Sequence, residues 1–235
     1  MKTIILIFLL SLSVHAGIID SGYPGVVAVW NFDDASGTTA KSTNGAYTMS
    51  TGGNVTWVTG KNNNGVNYLA ANDYMYLTAG TAADFDFAGG FTLGCWVKFK
   101  MATNTTNGLE GALIAKIQNG TYNGYMLWYN EGHIRFYVNA GARANTTNAF
   151  VFGKWTHICA VYDGTYCKLY VDGLEVNRGI YTTAANSAAG TLYFSKYCDG
   201  YGIHMTQDEV FMANRAFSPT EVMAVVETGK WRNGQ

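Results

Sequence analysis

Short segments rich in aromatic and β-branched residues recur along the chain, and each is bounded on at least one side by glycine, asparagine, aspartate or threonine. Runs of about five to nine residues with such boundaries are typical of β-strands. The segments are Val26–Phe32, Phe91–Phe99, Ala112–Lys116, Tyr125–Tyr129, His133–Val138, Trp155–Tyr162, Cys167–Val171 and Thr191–Ser195. Because helical segments do not alternate with them, we expect an all-β antiparallel sandwich rather than a parallel α/β sheet.

Local signals predict three turns and one helix. The dipeptides Glu131-Gly132, Asp163-Gly164 and Asp172-Gly173 contain residues that tolerate the positive φ of tight hairpin turns. A single short helix is predicted over Ser218–Val226. There Ser218 is the N-cap, the following proline fits the first turn, and Glu221 completes a capping box.

The first sixteen residues are typical of an export signal. Lys2 supplies the positive start, Ile4–Leu10 is apolar, and Val14–Ala16 offers small residues for cleavage. The apolar run is about half of the roughly 20 residues that span a bilayer. We therefore expect a secreted protein, extracellular or at the cell surface, with no membrane span. The expected segments are a signal peptide (1–16), an N-terminal lead (17–25), one domain (26–229) and a tail (230–235).

Charge is scarce in this chain. Only 13% of the residues are charged, and the formal net charge is -1, whereas globular proteins average about 25% charged residues. The 15 Lys and Arg residues do not outnumber the 16 Asp and Glu residues, which excludes nucleic-acid binding through a basic surface. A hydrophobic content of 48% supplies a core and excludes disorder.

Four cysteines are present, Cys95, Cys159, Cys167 and Cys198. Export to an oxidising compartment favours disulfides, and four cysteines allow three connectivities. Free buried thiols are the alternative. No C-x-x-C pair occurs, so a zinc site is not expected.

Five motifs follow one another in a characteristic order. They are Val29–Asp34 with Ser36–Thr39, Phe91–Lys98, Trp155–Gly164, Leu169–Gly173 and Asp208–Ser218. In this order they resemble laminin-G-like domains of the concanavalin A-like lectin/glucanase superfamily, with the pentraxin branch as one candidate. The resemblance covers nearly the whole chain after the export signal. It implies a jelly-roll sandwich of two antiparallel sheets with a short C-terminal helix.

The same resemblance implies a structural calcium ion. Its ligands would be Asp33 and Asp208, with oxygens of the loop around Gly37 and Ser42 completing the six to eight that calcium prefers. Relatives usually carry an aspartate in the loop where this chain has Lys41-Ser42-Thr43, and a lysine there would replace the ion electrostatically. The alternative is that Asp33 only forms hydrogen bonds within its turn.

The pentraxin resemblance also implies a disulfide between Cys95 and Cys159, which leaves Cys167 and Cys198 as the second pair. Cys159 matches the expected position closely. Cys95 lies about one residue from its expected position, and one step along a strand turns a side chain to the other face.

Catalysis is not expected. Glycosidases need two carboxylates that flank the scissile bond, and the alternating acidic strand of laminarinase-type relatives does not occur here. Asp208 and Glu209 are adjacent, so a regular strand would point them to opposite faces. No serine–histidine–aspartate motif is present either.

Trp128 and Tyr129 are the candidate ligand-binding residues, because aromatic faces on a mid-chain strand stack on sugar rings. The alternative is that one of them packs in the sandwich and the other lies on its face. Four glycosylation sequons begin at Asn54, Asn104, Asn119 and Asn145.

These observations favour a secreted, non-enzymatic laminin-G-like module that binds a glycan or glycoprotein outside the cell. The alternative is a structural or adhesive protein that binds copies of itself in a filament or surface layer. In that case the lead, which contains Ile18 and Ile19, would add to a sheet edge of a neighbour. A glycoside hydrolase is the outlying hypothesis.

Overall fold

The computed structural model describes residues 22–34, 36–100, 110–148, 150–185, 190–197 and 202–231. In this part of the chain sixteen strands form two sheets of eight strands each, followed by one α-helix. In chain order the elements are β1 (Val26–Trp30), β2 (Thr39–Lys41), β3 (Thr48–Gly52), β4 (Thr56–Thr59), β5 (Asn64–Tyr68), β6 (Tyr74–Leu77), β7 (Phe91–Phe99), β8 (Glu110–Ile117), β9 (Gly124–Asn130), β10 (His133–Val138), β11 (Gly141–Asn145), β12 (Trp155–Tyr162), β13 (Tyr166–Val171), β14 (Leu174–Ile180), β15 (Leu192–Phe194), β16 (Met205–Ala213) and α1 (Pro219–Trp231).

All strand pairs are antiparallel. Sheet A has the order β14-β13-β12-β7-β16-β5-β4, and β1 also pairs with β16. Sheet B has the order β11-β10-β9-β8-β15-β6-β3-β2. The predicted antiparallel two-sheet sandwich with one C-terminal helix is therefore confirmed.

The core lies between the two sheets and follows the alternation of side chains along each strand. In β7 the odd-numbered residues from Phe91 to Phe99 are buried in the main apolar cluster. The even-numbered residues of β7 face outward. On that outer face of sheet A, Val29, Phe211 and Val222 form a second cluster, which α1 helps to cover.

The three predicted turns are present. Glu131 and Asp172 have φ values of 49° and 48°, and the glycine after each also has a positive φ. Strand partners flank each of these two pairs directly, as in two-residue hairpin loops. In the β12–β13 turn, Gly164 has a φ of 90°.

The capping box of α1 forms as predicted, although the helix extends beyond the predicted end at Val226. The Ser218 N–H donates to Glu221 Oε2 at 2.8 Å, and the Glu221 N–H donates to Ser218 Oγ at 3.3 Å. No helix of the described residues is long and apolar enough to cross a membrane.

The described end of the lead packs against its own domain. The Tyr23 hydroxyl donates to Glu221 Oε1 at 3.1 Å, and Arg215 Nε donates to the Pro24 carbonyl at 2.7 Å. The predicted signal peptide and residues 17–21 lie outside the described residues.

The predicted bridge between Cys95 and Cys159 is not formed, and both thiols are free. Cys95 pairs with Ile158, whereas Cys159 pairs with Gly94. This offset of one residue places Cys95 in the core and Cys159 on the outer face of sheet A. Cys167 is also free, and Cys198, its predicted partner, lies outside the described residues.

Candidate functional site

A pocket with a volume of about 290 Å³ opens on the outer face of sheet B, close to the lower end of the range for ligand sites, about 300 Å³. Its base is a small apolar cluster on β8 and β9 that is separate from the main core. The pocket is lined by Ile117, Tyr122, Gly124, Met126, Trp128, Tyr137, Ala140 and Tyr197. We call it the aromatic pocket.

The two candidate ligand-binding residues face opposite ways, as successive residues of a strand do. Trp128 is 9% exposed and lines the aromatic pocket. Tyr129 is buried in the core, where its ring stacks on Phe99 with 4.5 Å between centroids. The structure thus places Trp128 in the pocket and Tyr129 outside it, which matches the alternative reading of the pair.

Three aromatic residues of the pocket, Tyr122, Tyr137 and Tyr197, were missed by sequence reasoning. Tyr137 is the cross-strand neighbour of Met126, so the alternation along β10 was a usable signal for its outward direction. Tyr197 lies in the loop after β15 and had no such signal. Ser195, with a φ of 70°, turns the chain there, and its N–H donates to the Leu113 carbonyl at 3.5 Å.

Left-handed backbone borders the pocket at three residues other than glycine. Tyr122, Asn139 and Ala140 have φ values of 53°, 49° and 61°. This region costs an L-residue about 1–2 kcal/mol, and such residues cluster at ligand-binding sites. Backbone hydrogen bonds hold the conformation, from Asn139 N–H to the Gly124 carbonyl and from Ala140 N–H to the Tyr122 carbonyl.

The described lining of the aromatic pocket contains no charged side chain. Its polar groups are the phenol hydroxyls of three tyrosines, the indole N–H of Trp128 and the backbone. Apolar ring faces combined with a few hydroxyl groups suit a ligand that has one apolar face and a polar edge. The described lining contains no carboxylate pair of the kind that glycosidic acid–base chemistry uses.

The predicted metal residue Asp208 is fully buried and held by backbone amides. Its Oδ2 accepts from the N–H groups of Lys61 and Asn62 at 2.8 and 2.9 Å, and its Oδ1 accepts from Glu209 N–H at 2.8 Å. Burial raises the pKa of Asp208 to about 8. The charge of Glu209 also raises this pKa, while the amide hydrogen bonds lower it.

Regular strand alternation breaks down beside Asp208. The register of β16 shifts between Asp208 and Phe211, and Glu209 has a φ of 50°. As a result both carboxyl groups contact Asn62, through its backbone N–H and its side-chain amide respectively. The prediction that Asp208 and Glu209 point to opposite faces is therefore wrong, because a β-bulge changes the direction of the strand.

Asp33 contacts the same loop from the end of β1. Its Oδ1 accepts from Asn64 N–H and its Oδ2 from the Asn63 side chain, both at 3.3 Å. The two carboxylates thus hold neighbouring residues of one loop by hydrogen bonds. Asp33 Oδ2 also accepts a hydrogen bond within its own turn, from the Asn31 side chain at 2.9 Å.

The other two predicted calcium ligands are engaged elsewhere. The Gly37 carbonyl accepts from Trp57 Nε1 at 3.1 Å. Ser42 Oγ donates to the Asn44 side chain at 2.7 Å. In the described ranges no three His, Cys, Asp or Glu side chains gather as a metal-binding group. The described contacts of the four residues are hydrogen bonds within the protein, and calcium at this position stays a prediction.

Three of the four predicted glycosylation residues are described, and all are exposed. Asn54 follows β3, Asn119 lies in the β8–β9 loop, and Asn145 ends β11. Asn104 lies outside the described residues.

A family model of laminin-G type, described as the Concanavalin A-like lectin/glucanases superfamily, matches residues 69–223. No curated protein matches the chain significantly. Among solved structures, domain 4 of AbnA, an extracellular arabinanase from Geobacillus stearothermophilus in complex with arabinotriose, superposes with a TM-score of 0.62 at 16% identity. That alignment covers 86% of this chain and 98% of the arabinanase domain.

Two toxin binding domains have the same fold over part of their length. The binding domain of botulinum neurotoxin DC in complex with SialylT has a TM-score of 0.65 at 10% identity, with 88% of this chain and 52% of that chain covered. The binding domain of Paraclostridial Mosquitocidal Protein 1 has a TM-score of 0.65 at 16% identity, with 86% and 52% covered. This chain thus spans about half of either toxin domain, and at these identities the likeness concerns the fold alone.

Proposed function

Because the chain belongs to the concanavalin A-like lectin/glucanases superfamily, we propose that it is a secreted, non-enzymatic module that binds carbohydrate or glycoprotein. The aromatic pocket on sheet B is the observation that carries this proposal. Trp128 and Tyr137 would stack on the apolar face of a sugar ring, while tyrosine hydroxyls at the rim would bind its hydroxyl groups. Two similar folds, in complex with arabinotriose and with SialylT, support a glycan as the ligand class.

A glycan array followed by calorimetric titration of the best hit tests the proposal. We expect Trp128→Ala and Tyr137→Ala to weaken binding about tenfold or more, since loss of an aromatic anchor in a binding site commonly costs more than about 1 kcal/mol. Tyr76→Ala is the matched control, because Tyr76 also faces outward on sheet B but does not line the pocket. An array without hits, or equal losses in all three variants, would reject the pocket as the glycan site.

The absence of catalysis belongs to the same proposal. Incubation of the protein with its best-binding oligosaccharide should return that oligosaccharide intact by mass spectrometry. If shorter products still form after the protein has been purified further, the hydrolase hypothesis would be supported instead.

Secretion is tested by the N-terminus of the exported protein, which we expect at Gly17 after removal of the signal peptide.

A structural calcium ion remains a proposal. The family resemblance supports it, whereas the described contacts of Asp33 and Asp208 are hydrogen bonds within the protein and do not add support. An ion there would replace amide hydrogen bonds that the two carboxylates now accept. The melting temperature with added calcium and with a chelator decides the matter. A rise with calcium supports the ion as a structural element, and equal melting temperatures reject it.

Self-assembly through the lead has less support than glycan binding. Tyr23 and Pro24, at the described end of the lead, already contact Glu221 and Arg215 of their own domain. If assembly nevertheless depends on the lead, deleting Gly17 to Tyr23 should abolish oligomers in light scattering. Oligomers of unchanged size would reject that mechanism.

A further inference from the structure

Two adjacent apolar side chains are exposed in the loop between β11 and β12. Val151 is 68% exposed and Phe152 is 41% exposed. The loop is anchored on both sides of them, since the Phe150 ring lies 5.3 Å from that of Phe99, and Gly153 N–H donates to the Phe99 carbonyl at 2.8 Å. The two side chains are therefore held outward by a fixed turn.

Three lysines lie in this loop or at the end of the adjoining strand. Lys154 follows the pair after one glycine, Gly153, and is exposed, and Lys98 and Lys100 lie at the end of β7, the neighbour of β12 in sheet A. Lys98 Nζ lies 4.9 Å from the centre of the Trp155 ring, and Lys100 Nζ donates to the side chain of Asn67. Across the described ranges, no carboxylate forms an ion pair with any of the three lysines.

The lysines also lie close enough to affect one another. Burial lowers the pKa of Lys100, and the charge of Lys98 lowers it further. Two neighbouring ammonium groups with no carboxylate in an ion pair produce a local positive electrostatic potential, which a bound anion would neutralise.

A third exposed apolar residue lies on the same end of sheet A. Leu69, after β5, is 54% exposed. Neighbouring strands connect Leu69 to Lys100. The Lys100 N–H donates to the His204 carbonyl, and the next residue, Met205, pairs with Tyr68, which directly precedes Leu69. The neighbouring Asp73 is buried, and its Oδ2 accepts the N–H groups of Leu69 and the next residue.

One exposed carboxylate borders the loop from the other sheet. Glu131 lies in the β9–β10 turn, and the following residue, Gly132, accepts the Phe150 N–H through its carbonyl at 3.0 Å. Lys98 and Lys100 lie at the end of β7 in sheet A, whereas Glu131 lies between two strands of sheet B.

We propose that this end of sheet A docks on an anionic lipid surface. The docking tip consists of Val151, Phe152, Lys98, Lys100 and Lys154. Its apolar pair enters the boundary between headgroups and acyl chains, while the lysines contact lipid phosphates and carboxylates. An acidic polysaccharide would also attract the lysines, but it would leave Val151 and Phe152 in water, so the exposed apolar pair favours lipid.

Sedimentation with lipid vesicles tests this proposal. We expect the full chain to bind vesicles in which about a quarter of the phosphatidylcholine is replaced by phosphatidylserine, and to bind pure phosphatidylcholine at least about fivefold more weakly. The double variant Val151→Ser/Phe152→Ser should lower the partition coefficient about tenfold. The control Val176→Ser/Ile180→Ser changes two β14 residues of similar exposure, 42% and 74%, and should bind like the wild type.

Each outcome of the vesicle experiment is decisive. A loss confined to the Val151/Phe152 variant, in protein of unchanged melting temperature, supports the docking tip. Equal binding by all three proteins, or no binding to either vesicle, overturns it. Binding to immobilised heparin but not to vesicles would assign the lysines to an acidic polysaccharide instead. Because Trp128→Ala leaves the docking tip intact, vesicle binding by that variant separates this proposal from glycan binding.

Discussion

The ring of Tyr197 stands edge-on to the indole of Trp128, with 4.7 Å between the centroids and 81° between the planes. This contact fixes the orientation of the indole and forms a wall of the aromatic pocket that the strands themselves do not supply. Edge-to-face aromatic pairs contribute about 0.5–1.5 kcal/mol beyond their buried area.

Tyr197→Ala should therefore weaken sugar binding about two- to tenfold, because it removes the support of the Trp128 ring. Tyr197→Phe keeps the ring and should retain most of the affinity. Calorimetric titration measures both variants. Unchanged affinity in Tyr197→Ala would show that the Trp128 ring is oriented without this contact.

Cys95 and Cys159 should both react as thiols when the protein is unfolded without reductant. Burial raises the pKa of Cys95 to about 12 and also raises the pKa of Cys159, so neither thiol should react in the native state. Peptide mass spectrometry after alkylation distinguishes native from unfolded labelling. A peptide pair joined through Cys95 and Cys159 would contradict the register of β7 and β12.

Glu221 should stabilise the fold at neutral pH and lose this effect in acid. Burial acts to raise its pKa, but hydrogen bonds from Arg215 and Ser218 outweigh burial and lower the pKa to about 2. Since the unfolded value is near 4.3, the stabilisation is complete above that pH and disappears as the pH falls toward 2.

Urea unfolding of Glu221→Gln tests this dependence. The variant should be about 1–2 kcal/mol less stable than the wild type at pH 7, and the difference should shrink at pH 3. Glu227→Gln, an exposed position on the same helix, is the control. A difference that stays constant with pH would mean that the charge of Glu221 does not contribute.

His157 should make the protein less stable below neutral pH. Its ring lies between Trp96 and Phe211, fully buried, and no described residue hydrogen-bonds its ring nitrogens. Burial lowers its pKa to about 3. The unfolded chain takes up a proton below about pH 6.5 while the folded chain does not, so stability falls by up to about 1.4 kcal/mol per pH unit.

The variant His157→Leu should flatten the decline in unfolding free energy between pH 6.5 and pH 4. His133→Leu, at a half-buried position of β10, is the control and should leave the decline in place. If both variants decline as steeply as the wild type, other groups cause the acid sensitivity.

Several strands with a clear pattern of apolar and β-branched residues were predictable. The predicted bounds of β7, β10 and β12 equal the observed ones. Strands β2 to β6, β11 and β14 were not predicted, and β16 was indicated only from Asp208 onward, through the resemblance. Sequences such as Thr48–Gly52 and Asn64–Tyr68 are rich in threonine, asparagine and glycine, and they become strands by pairing with distant segments, as Asn67 does with Thr206.

The candidate site, like the strands, was predictable only in part. Trp128 could be found because it lies on a strand with a clear apolar pattern. Tyr197 enters the pocket only through the left-handed turn at Ser195, and the contacts of Asp208 depend on the bulge at Glu209. Turns and bulges of this kind depend on tertiary packing, which the local sequence does not encode.

The pairing of β1 with β16 has a mechanical consequence. Val26 pairs with Ala213, so the chain enters β1 and leaves β16 at the same end of this ladder. A force that pulls these two ends apart would break the hydrogen bonds one after another, starting at Val26, instead of loading them all at once. The contact between Tyr23 and Glu221 lies outside the first pair and would yield before the ladder, so under tension the chain should unzip rather than shear.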